Sequence, residues 1–138
     1  MKDSVLQKYT GGKQAASEPA LADESDGLDD LGAFGFLRGI RDRAIMLELR
    51  RRDGSVTALG YAWLSKSVFD PSEGITLHFG AETVKISGRN LNSEIRPNVR
   101  LFAAIVRHRV PWVQEADEPT ALTSSRNALV IEGIDLEG

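Results

Sequence analysis

The sequence contains no cysteine, which excludes disulfides, thiolate metal sites and nucleophilic cysteine chemistry. It has two histidines, His78 and His108, which leaves little material for a metal centre or an imidazole relay. The longest apolar run is the six residues Leu101–Val106, far short of the roughly 20 that a membrane-spanning helix needs. Residues 1–13 contain no apolar stretch typical of secretory leaders. We therefore expect a cytoplasmic protein that holds no metal or cofactor and does not enter a membrane.

Familiar catalytic motifs are also missing. The sequence has no G-x-S-x-G elbow, no H-E-x-x-H, no calcium-loop pattern and no phosphate-binding glycine loop. Carboxylate pairs such as Asp70 with Glu73 fall in a turn, where solvent is their obvious partner. We therefore expect a non-enzymatic protein with no small-molecule substrate evident. An enzyme that uses acidic residues in a cleft is the least favoured interpretation.

Charge is distributed very unevenly along the chain. The formal net charge of −3 is the sum of −4 for residues 1–30, +6 for residues 31–114 and −5 for residues 115–138. Such asymmetry is typical of tails that flank a folded body. The sequence thus predicts an acidic disordered tail over 1–30, a small folded domain over 31–114, and an acidic linker with a strand-like tail over 115–138.

Short segments of alternating hydrophobicity dominate the body. Residues 43–52 and 55–65 alternate with a period of two, and Asp53-Gly54 between them is a strong hairpin signal. The large residues Thr57, Leu59, Tyr61 and Trp63 share one face of the second strand, which we expect to lie in the core. Further short strands follow on either side of the turns at 70–74 and 80–81. The prediction is a strongly bent antiparallel sheet, or an SH3/Sm-like barrel, of four to five strands.

Helical periodicity occurs in two places. Val99, Phe102, Ala103, Val106 and Val110 form an apolar stripe, which predicts one amphipathic helix that ends before Pro111. Leu28, Leu31, Phe34, Leu37 and Ile40 also fit one helical face, so we expect an irregular or one-to-two-turn helix there. The predicted fold class is therefore α+β, mainly β, with a helix after the strands.

The apolar run Ala128–Ile131 lies in a strand-like stretch near the carboxyl end, residues 127–132. An uncharged run of this kind tends to aggregate if it stays open. We expect it to pair with a sheet edge, in its own chain or in a neighbouring copy. Unpaired edges and this tail together favour a protein that binds a protein partner or associates with itself.

The arginines are the main indication of a binding site, because the planar guanidinium group makes bidentate contacts with phosphate or carboxylate. The candidate contact residues for phosphate or a partner are Arg50, Arg51, Arg52, Arg89, Arg96, Arg100 and Arg107. Tyr61 and Trp63 are candidates for base stacking if they are exposed. The alternative to a protein-interaction module is therefore a module that binds RNA or DNA phosphates. Intramolecular pairing of the arginines with the acidic segments is the competing interpretation.

The segment from Val84 to Leu91 resembles the second motif of Sm-like RNA-binding proteins, in which a strand leads into Arg-Gly-Asn. Here Ser87 stands in place of the arginine, and Arg89 separates Gly88 from Asn90. The predicted helix follows the strands, whereas the Sm helix precedes the barrel. The resemblance covers about eight residues, and Asn90 serves equally well as a turn residue, so we do not assign the chain to that family.

Overall fold

The computed structural model describes residues 27–138. The predicted disorder of the acidic tail therefore falls almost entirely outside the described residues. The chain divides into two units, of which the smaller includes residues 27–29 and Leu37–Asp42, and the larger comprises Asp30–Phe36 and Arg43–Gly138. The described part is mainly β with two short helices, in agreement with the predicted class.

The predicted helix around Phe34 is wrong. Strands β1 (Leu28–Asp30) and β2 (Gly35–Leu37) form a two-stranded sheet instead. A turn separates them, in which Asp30 Oδ1 accepts a hydrogen bond from the N–H of Gly32 at 2.9 Å. Within the smaller unit, Arg38 Nε pairs with Asp29 Oδ1 at 3.1 Å.

A three-stranded sheet has the order β4-β3-β8. Strands β3 (Met46–Arg50) and β4 (Val56–Gly60) form the predicted hairpin, and Gly54 at its tip has a φ of 92°. Strand β8 (Trp112–Gln114) runs parallel to β3, with Glu48 opposite Trp112. This parallel pair departs from the all-antiparallel sheet that we predicted. Parallel pairing requires a long connection, and here the chain between residues 50 and 112 provides it.

A four-stranded antiparallel sheet has the order β5-β6-β7-β9. Its strands are β5 (Leu64–Asp70), β6 (Gly74–Phe79), β7 (Glu82–Arg89) and β9 (Val130–Glu137). The turns expected at 70–74 and 80–81 connect β5 to β6 and β6 to β7. Strand β9 pairs with β7 of the same chain, so this strand finds its partner in cis.

The predicted continuous strand over 55–65 is interrupted. A 3-10 turn, Tyr61–Trp63, follows β4 and leads directly into β5. Because the turn breaks the period of two, Tyr61 and Trp63 no longer share a face. Tyr61 lies in the core, whereas Trp63 is 70% exposed, which corrects its predicted core position.

Two helices lie in the larger unit. Helix α1 spans only Leu101–Val106 and buries Leu101, Ala104 and Ile105. The predicted apolar stripe is therefore wrong, and Val106 is 45% exposed. Helix α2 (Glu118–Thr123) occupies part of the segment expected to be a linker, and the Asp117 side chain caps its start by accepting the N–H of Thr120 at 2.8 Å.

The core of the larger unit joins both sheets and α1. Its fully buried side chains include Phe34, Leu47, Leu49, Ile75, Leu77, Ile86, Leu101, Ile105 and Ile131. The predicted alternation holds within β3, where Leu47 and Leu49 are buried, while Ile45 precedes the strand and is 82% exposed. The outward face of the three-stranded sheet carries Met46, Ala58 and Val56.

Candidate functional site

The seven arginines singled out from the sequence do not converge on one site. Arg50, Arg51 and Arg52 line a cleft of about 510 Å³ beside the β3–β4 hairpin, which we call the hairpin cleft. Arg100 and Arg107 line a second cleft of about 450 Å³ beside α1, which we call the helix cleft. The two clefts have no lining residue in common.

Carboxylates balance the arginines of the hairpin cleft. Arg50 Nη2 lies 3.0 Å from Glu48 Oε1, and Arg52 Nε lies 3.6 Å from Glu115 Oε1. Hydrogen bonds from the side chain and the N–H of Thr120 lower the pKa of Asp117, which also lines the cleft, below its ordinary value. Asp117 therefore stays ionised at neutral pH. The cleft therefore offers both signs of charge, with three arginines and two carboxylates among its lining residues.

Glu115 is the central side chain of this cleft. Its Oε1 accepts the N–H of Arg52 at 2.9 Å, and its Oε2 accepts the N–H of Ile134 at 2.8 Å. The neighbouring Ala116 N–H donates to the carbonyl of Ile131 at 2.8 Å, and Arg52 Nη2 donates to the carbonyl of Glu132. Side chains and backbone from the 115–116 segment and the hairpin thus occupy the outer edge of β9.

Arg89 has a structural position. Its Nε lies 3.3 Å from Glu132 Oε2, and its Nη2 donates to the carbonyl of Ala121 at 2.7 Å. The guanidinium therefore connects β7 to β9 and to the end of α2. Neither cleft includes it among its lining residues.

Arginines outnumber carboxylates among the residues that line the helix cleft. Arg100, Arg107 and Arg109 line it, with Glu94 as the one carboxylate among its lining residues. Phe36 also lines the cleft, and the guanidinium of Arg109 lies 4.6 Å from the centre of its ring. Arg96, another predicted residue, lies 5.7 Å from the same ring. The structure thus brings Arg96, Arg100 and Arg107 together and adds two residues that we did not predict, Arg109 and Phe36.

Tyr61 and Trp63 have opposite environments. Tyr61 is 2% exposed, its hydroxyl donates to the carbonyl of Val110 at 2.7 Å, and burial raises its pKa well above the ordinary value. The ring of His108 stacks on it at 4.5 Å. Since a stacking platform must be exposed, only Trp63 of the two presents its ring to solvent.

Exposed apolar side chains gather where β3 begins and β4 ends. Ile45 is 82% exposed, Met46 43% and Trp63 70%. Met46 lies opposite Gly60 in the ladder, and a Cβ atom on Gly60 would lie 3.2 Å from Trp63 Cδ1 and 3.7 Å from Met46 Sδ. We call this group, Ile45, Met46 and Trp63, the tryptophan patch.

The outer edges of the two larger sheets are not alike. A bridge between Phe34 and Val113, and the bond from the N–H of Gln114 to the carbonyl of Ala33 at 2.8 Å, cover β8. The contacts of Glu115 described above cover part of β9. Strand β5 carries Lys66 and Asp70 and has a register irregularity after Leu64. Charges and bulges of this kind discourage pairing with another chain.

In the part of the chain that the structure describes, strand β4 has none of these protections. Its sequence, Val-Thr-Ala-Leu-Gly, contains no charged residue and no proline. Within residues 27–138 it lies at the edge of its sheet and pairs only with β3. Val56 is 56% exposed on it.

No family model, no curated protein and no solved structure matches this chain.

Function must therefore be argued from the geometry. Residues 27–138 contain no group of three or more histidines, aspartates or glutamates placed to hold a metal ion. In the same part of the chain, no helix has the length and apolar character needed to cross a membrane. The chemically distinctive features of the described residues are the edge of β4 with the tryptophan patch, the hairpin cleft with charges of both signs, and the arginine-rich helix cleft.

Proposed function

We propose that this protein is a non-enzymatic interaction module that associates with a second copy of itself through the outer edge of β4. The observation that carries the proposal is the contrast between the sheet edges. Among residues 27–138, strands β5, β8 and β9 bear charges or are covered, whereas β4 is uncharged and pairs only with β3. Natural edge strands that lack such protection pair with other strands.

The backbone of β4 determines which groups take part. The N–H of Arg51 bonds the carbonyl of Ser55 and the N–H of Tyr61 bonds the carbonyl of Ile45, both at 2.9 Å. Because bonded and non-bonded pairs alternate in an antiparallel ladder, the N–H and C=O groups of Val56, Ala58 and Gly60 point away from β3. Three residues therefore offer a row of donors and acceptors to a second strand.

Two β4 strands fit together around a two-fold axis. In an antiparallel pair centred on Ala58, each Ala58 faces its equivalent, and each Val56 faces Gly60 of the other copy. Such an interface is isologous, since the same surface is used twice. Small side chains at the centre leave the backbones free to approach to the usual strand spacing of about 4.8 Å.

The tryptophan patch lies at the end of β4 and extends this surface. In the two-fold arrangement, Trp63 and Met46 of one copy lie near Val56 of the other, so association removes exposed apolar area from water. Exposed tryptophan is among the residues that contribute most to interfaces. Backbone pairing gives the register, and the patch contributes hydrophobic stabilisation.

The proposal is tested by placing a charge in the middle of the edge. Ala58→Lys should convert a concentration-dependent dimer into a monomer, because two lysines would face each other across the axis. Sedimentation velocity at several concentrations measures this. The matched control is Ser65→Lys, which adds the same charge to the exposed edge strand β5 and should leave association unchanged.

Two results would overturn the proposal. One is a wild-type chain that stays monomeric up to about 100 μM. The other is an Ala58→Lys variant with unchanged circular dichroism that still forms the dimer. Val56→Lys provides a second variant at a different position of the same edge, in case Ala58→Lys disturbs the hairpin.

Two finer points belong to the same proposal. We infer that the two larger sheets are halves of one strongly bent sheet of the SH3/Sm barrel type, supported by the passage of β4 into β5 through the single turn Tyr61–Trp63. We also propose a cytoplasmic location, which cell fractionation tests.

A further inference from the structure

We infer that a pocket beside Trp63 is a binding site for a methylated ammonium group, the group found in choline and in trimethylated lysine. The pocket has a volume of about 430 Å³, and Trp63, Glu82 and the apolar side chains of Leu59, Phe79 and Ala81 line it. We call it the indole pocket. It is formed by one chain, so the inference goes beyond the proposed association and does not rest on it.

Backbone contacts hold the indole ring of Trp63 at the pocket. The carbonyl of Trp63 accepts the N–H of Gly80 at 2.9 Å, which connects the 3-10 turn to the turn between β6 and β7. A Cβ atom on Gly60 would lie 3.2 Å from Trp63 Cδ1, and one on Gly80 would lie 3.8 Å from Cε3. Because these two ring atoms are at opposite ends of the indole, the ring spans both glycines. It is nevertheless 70% exposed, so ring surface is open to a ligand.

The pocket combines two groups that attract an organic cation. The face of an aromatic ring is electron-rich, and tryptophan binds cations better than the other aromatic side chains do. Glu82 is the one charged residue among the lining residues, and its charge is opposite to that of the ligand. Within residues 27–138, Glu82 makes no ion pair, and neither lysine nor arginine lines the pocket. A cation from solution therefore meets no competitor from the described part of the chain.

The apolar part of the lining favours a methylated ammonium group over a primary one. A primary ammonium has three N–H donors and a guanidinium has five, and each donor that leaves water needs an acceptor. The side chains of Leu59, Phe79 and Ala81 provide none. A quaternary ammonium group donates no hydrogen bond, and its methyl groups pack against these side chains. Cation–π contact is a frequent means of recognising such groups.

The experiment is a titration of the isotope-labelled full chain with choline at constant ionic strength, followed by NMR. The chain has two tryptophans, and Trp112 is only 6% exposed. The indole N–H signal of Trp63 should therefore shift, whereas that of Trp112 should stay in place. The spectrum of Trp63→Leu identifies which signal is which. We expect an affinity of about 1 mM, typical of one exposed cation–π contact assisted by one carboxylate.

Substitutions test the ring and the carboxylate separately, with isothermal titration as the measurement. Trp63→Leu keeps apolar surface but loses the ring and should weaken binding about tenfold, and Trp63→Phe should restore part of the loss. Glu82→Gln should weaken binding about threefold and reduce its salt dependence. The matched control is Glu73→Gln, which removes the same charge at the opposite end of β6 and should bind as the wild type does.

An uncharged ligand separates recognition of the cation from burial of apolar surface. The alcohol in which carbon replaces the quaternary nitrogen of choline has the same shape and should bind about tenfold more weakly. Equal binding of the two ligands would overturn the inference. Unchanged affinity of Trp63→Leu, or no shift of the Trp63 signal at about 50 mM choline, would also overturn it.

Trimethyl-lysine distinguishes the two sources of the group. Tighter binding of trimethyl-lysine than of choline indicates a methylated protein side chain as the natural ligand, and weaker binding indicates a free small cation.

The Ala58→Lys variant separates this site from the association proposed above. Sedimentation measures association and the titration measures choline binding, so either can fail without the other. Choline should bind Ala58→Lys as it binds the wild type. Loss of binding in an Ala58→Lys chain with unchanged circular dichroism would show that one chain does not form the site.

Discussion

Substitution of Glu115 tests which contacts stabilise the larger unit. Its side chain is only 11% exposed, and its two carboxylate oxygens accept one backbone N–H each, from Arg52 and from Ile134. One carboxylate therefore connects the hairpin tip to β9. We predict that Glu115→Ala destabilises the fold more than any single substitution of an exposed acidic residue.

The magnitude follows from the two hydrogen bonds. Each bond to a charged acceptor contributes about 1.5–3 kcal/mol. The N–H of Arg52 is exposed, so water replaces much of what is lost there, whereas the N–H of Ile134 is partly buried and loses more. The sum is about 2–4 kcal/mol, and for a domain of this size the melting temperature should fall by about 8–16 °C.

Urea unfolding followed by circular dichroism measures this loss. Glu115→Gln should lie between the wild type and Glu115→Ala, because its amide keeps one acceptor and turns an NH₂ group toward the second N–H. Glu137→Ala, an exposed acidic residue on β9, is the control and should change stability by less than about 0.5 kcal/mol. A Glu115→Ala variant within 0.5 kcal/mol of the wild type would refute the reasoning.

Two further predictions concern backbone contact and pH. Gly88→Ala should destabilise the protein by about 3 kcal/mol or more, because its Cβ would collide with the carbonyl of Val130 across the β7–β9 ladder. Gly54→Ala has open space around it and should cost only about 1 kcal/mol, so equal losses in urea unfolding would contradict this. Since burial raises the pKa of Tyr61, the folded state favours its neutral form, and stability should fall as pH rises above about 10, where the unfolded chain ionises. Tyr61→Phe should lose about 1 kcal/mol at pH 7 with the hydrogen bond to Val110, and should show a shallower alkaline decline, whereas identical pH profiles would refute the assignment.

Turn chemistry was the part of the fold that could be predicted best. The hairpin at Asp53-Gly54 forms as expected because its signal lies in the residues themselves, and Gly54 adopts the positive φ that the turn requires. The turn before Gly74 is similar, with a φ of 105° there. Alternation with a period of two also holds in β6, where Ile75, Leu77 and Phe79 are buried.

Where the predicted secondary structure was wrong, tertiary contacts determine the conformation of the segment. The segment from Val99 to Val110 has apolar residues on more than one side, so periodicity alone could not identify the buried face of α1. Val99 and Val110 are buried but lie outside the helix, which spans only Leu101–Val106. The segment around Phe34 has helical spacing by coincidence, and its strands β1 and β2 pair with each other instead.

Some residues of the candidate sites could be predicted from the sequence, but their grouping could not. Arg100 and Arg107 were among the candidate contact residues, whereas Phe36 joins them only because the fold brings distant segments together. A signal for Arg109 did exist, since it stands two residues after Arg107 in an Arg-His-Arg run. Nothing in the local sequence could have associated Phe36 with that run.

The parallel pairing of β3 with β8 has a consequence for how fast the protein folds. Glu48 and its partner Trp112 are more than sixty positions apart, so the three-stranded sheet is completed only after the loop between them has closed. Closing that loop costs conformational entropy before the strand pairing contributes any stabilisation. Domains dominated by such distant contacts fold in milliseconds to seconds, whereas the β3–β4 hairpin on its own forms in microseconds. During that interval β3 has a neighbour on one side only, and the chain exposes a second open edge that the native structure later conceals.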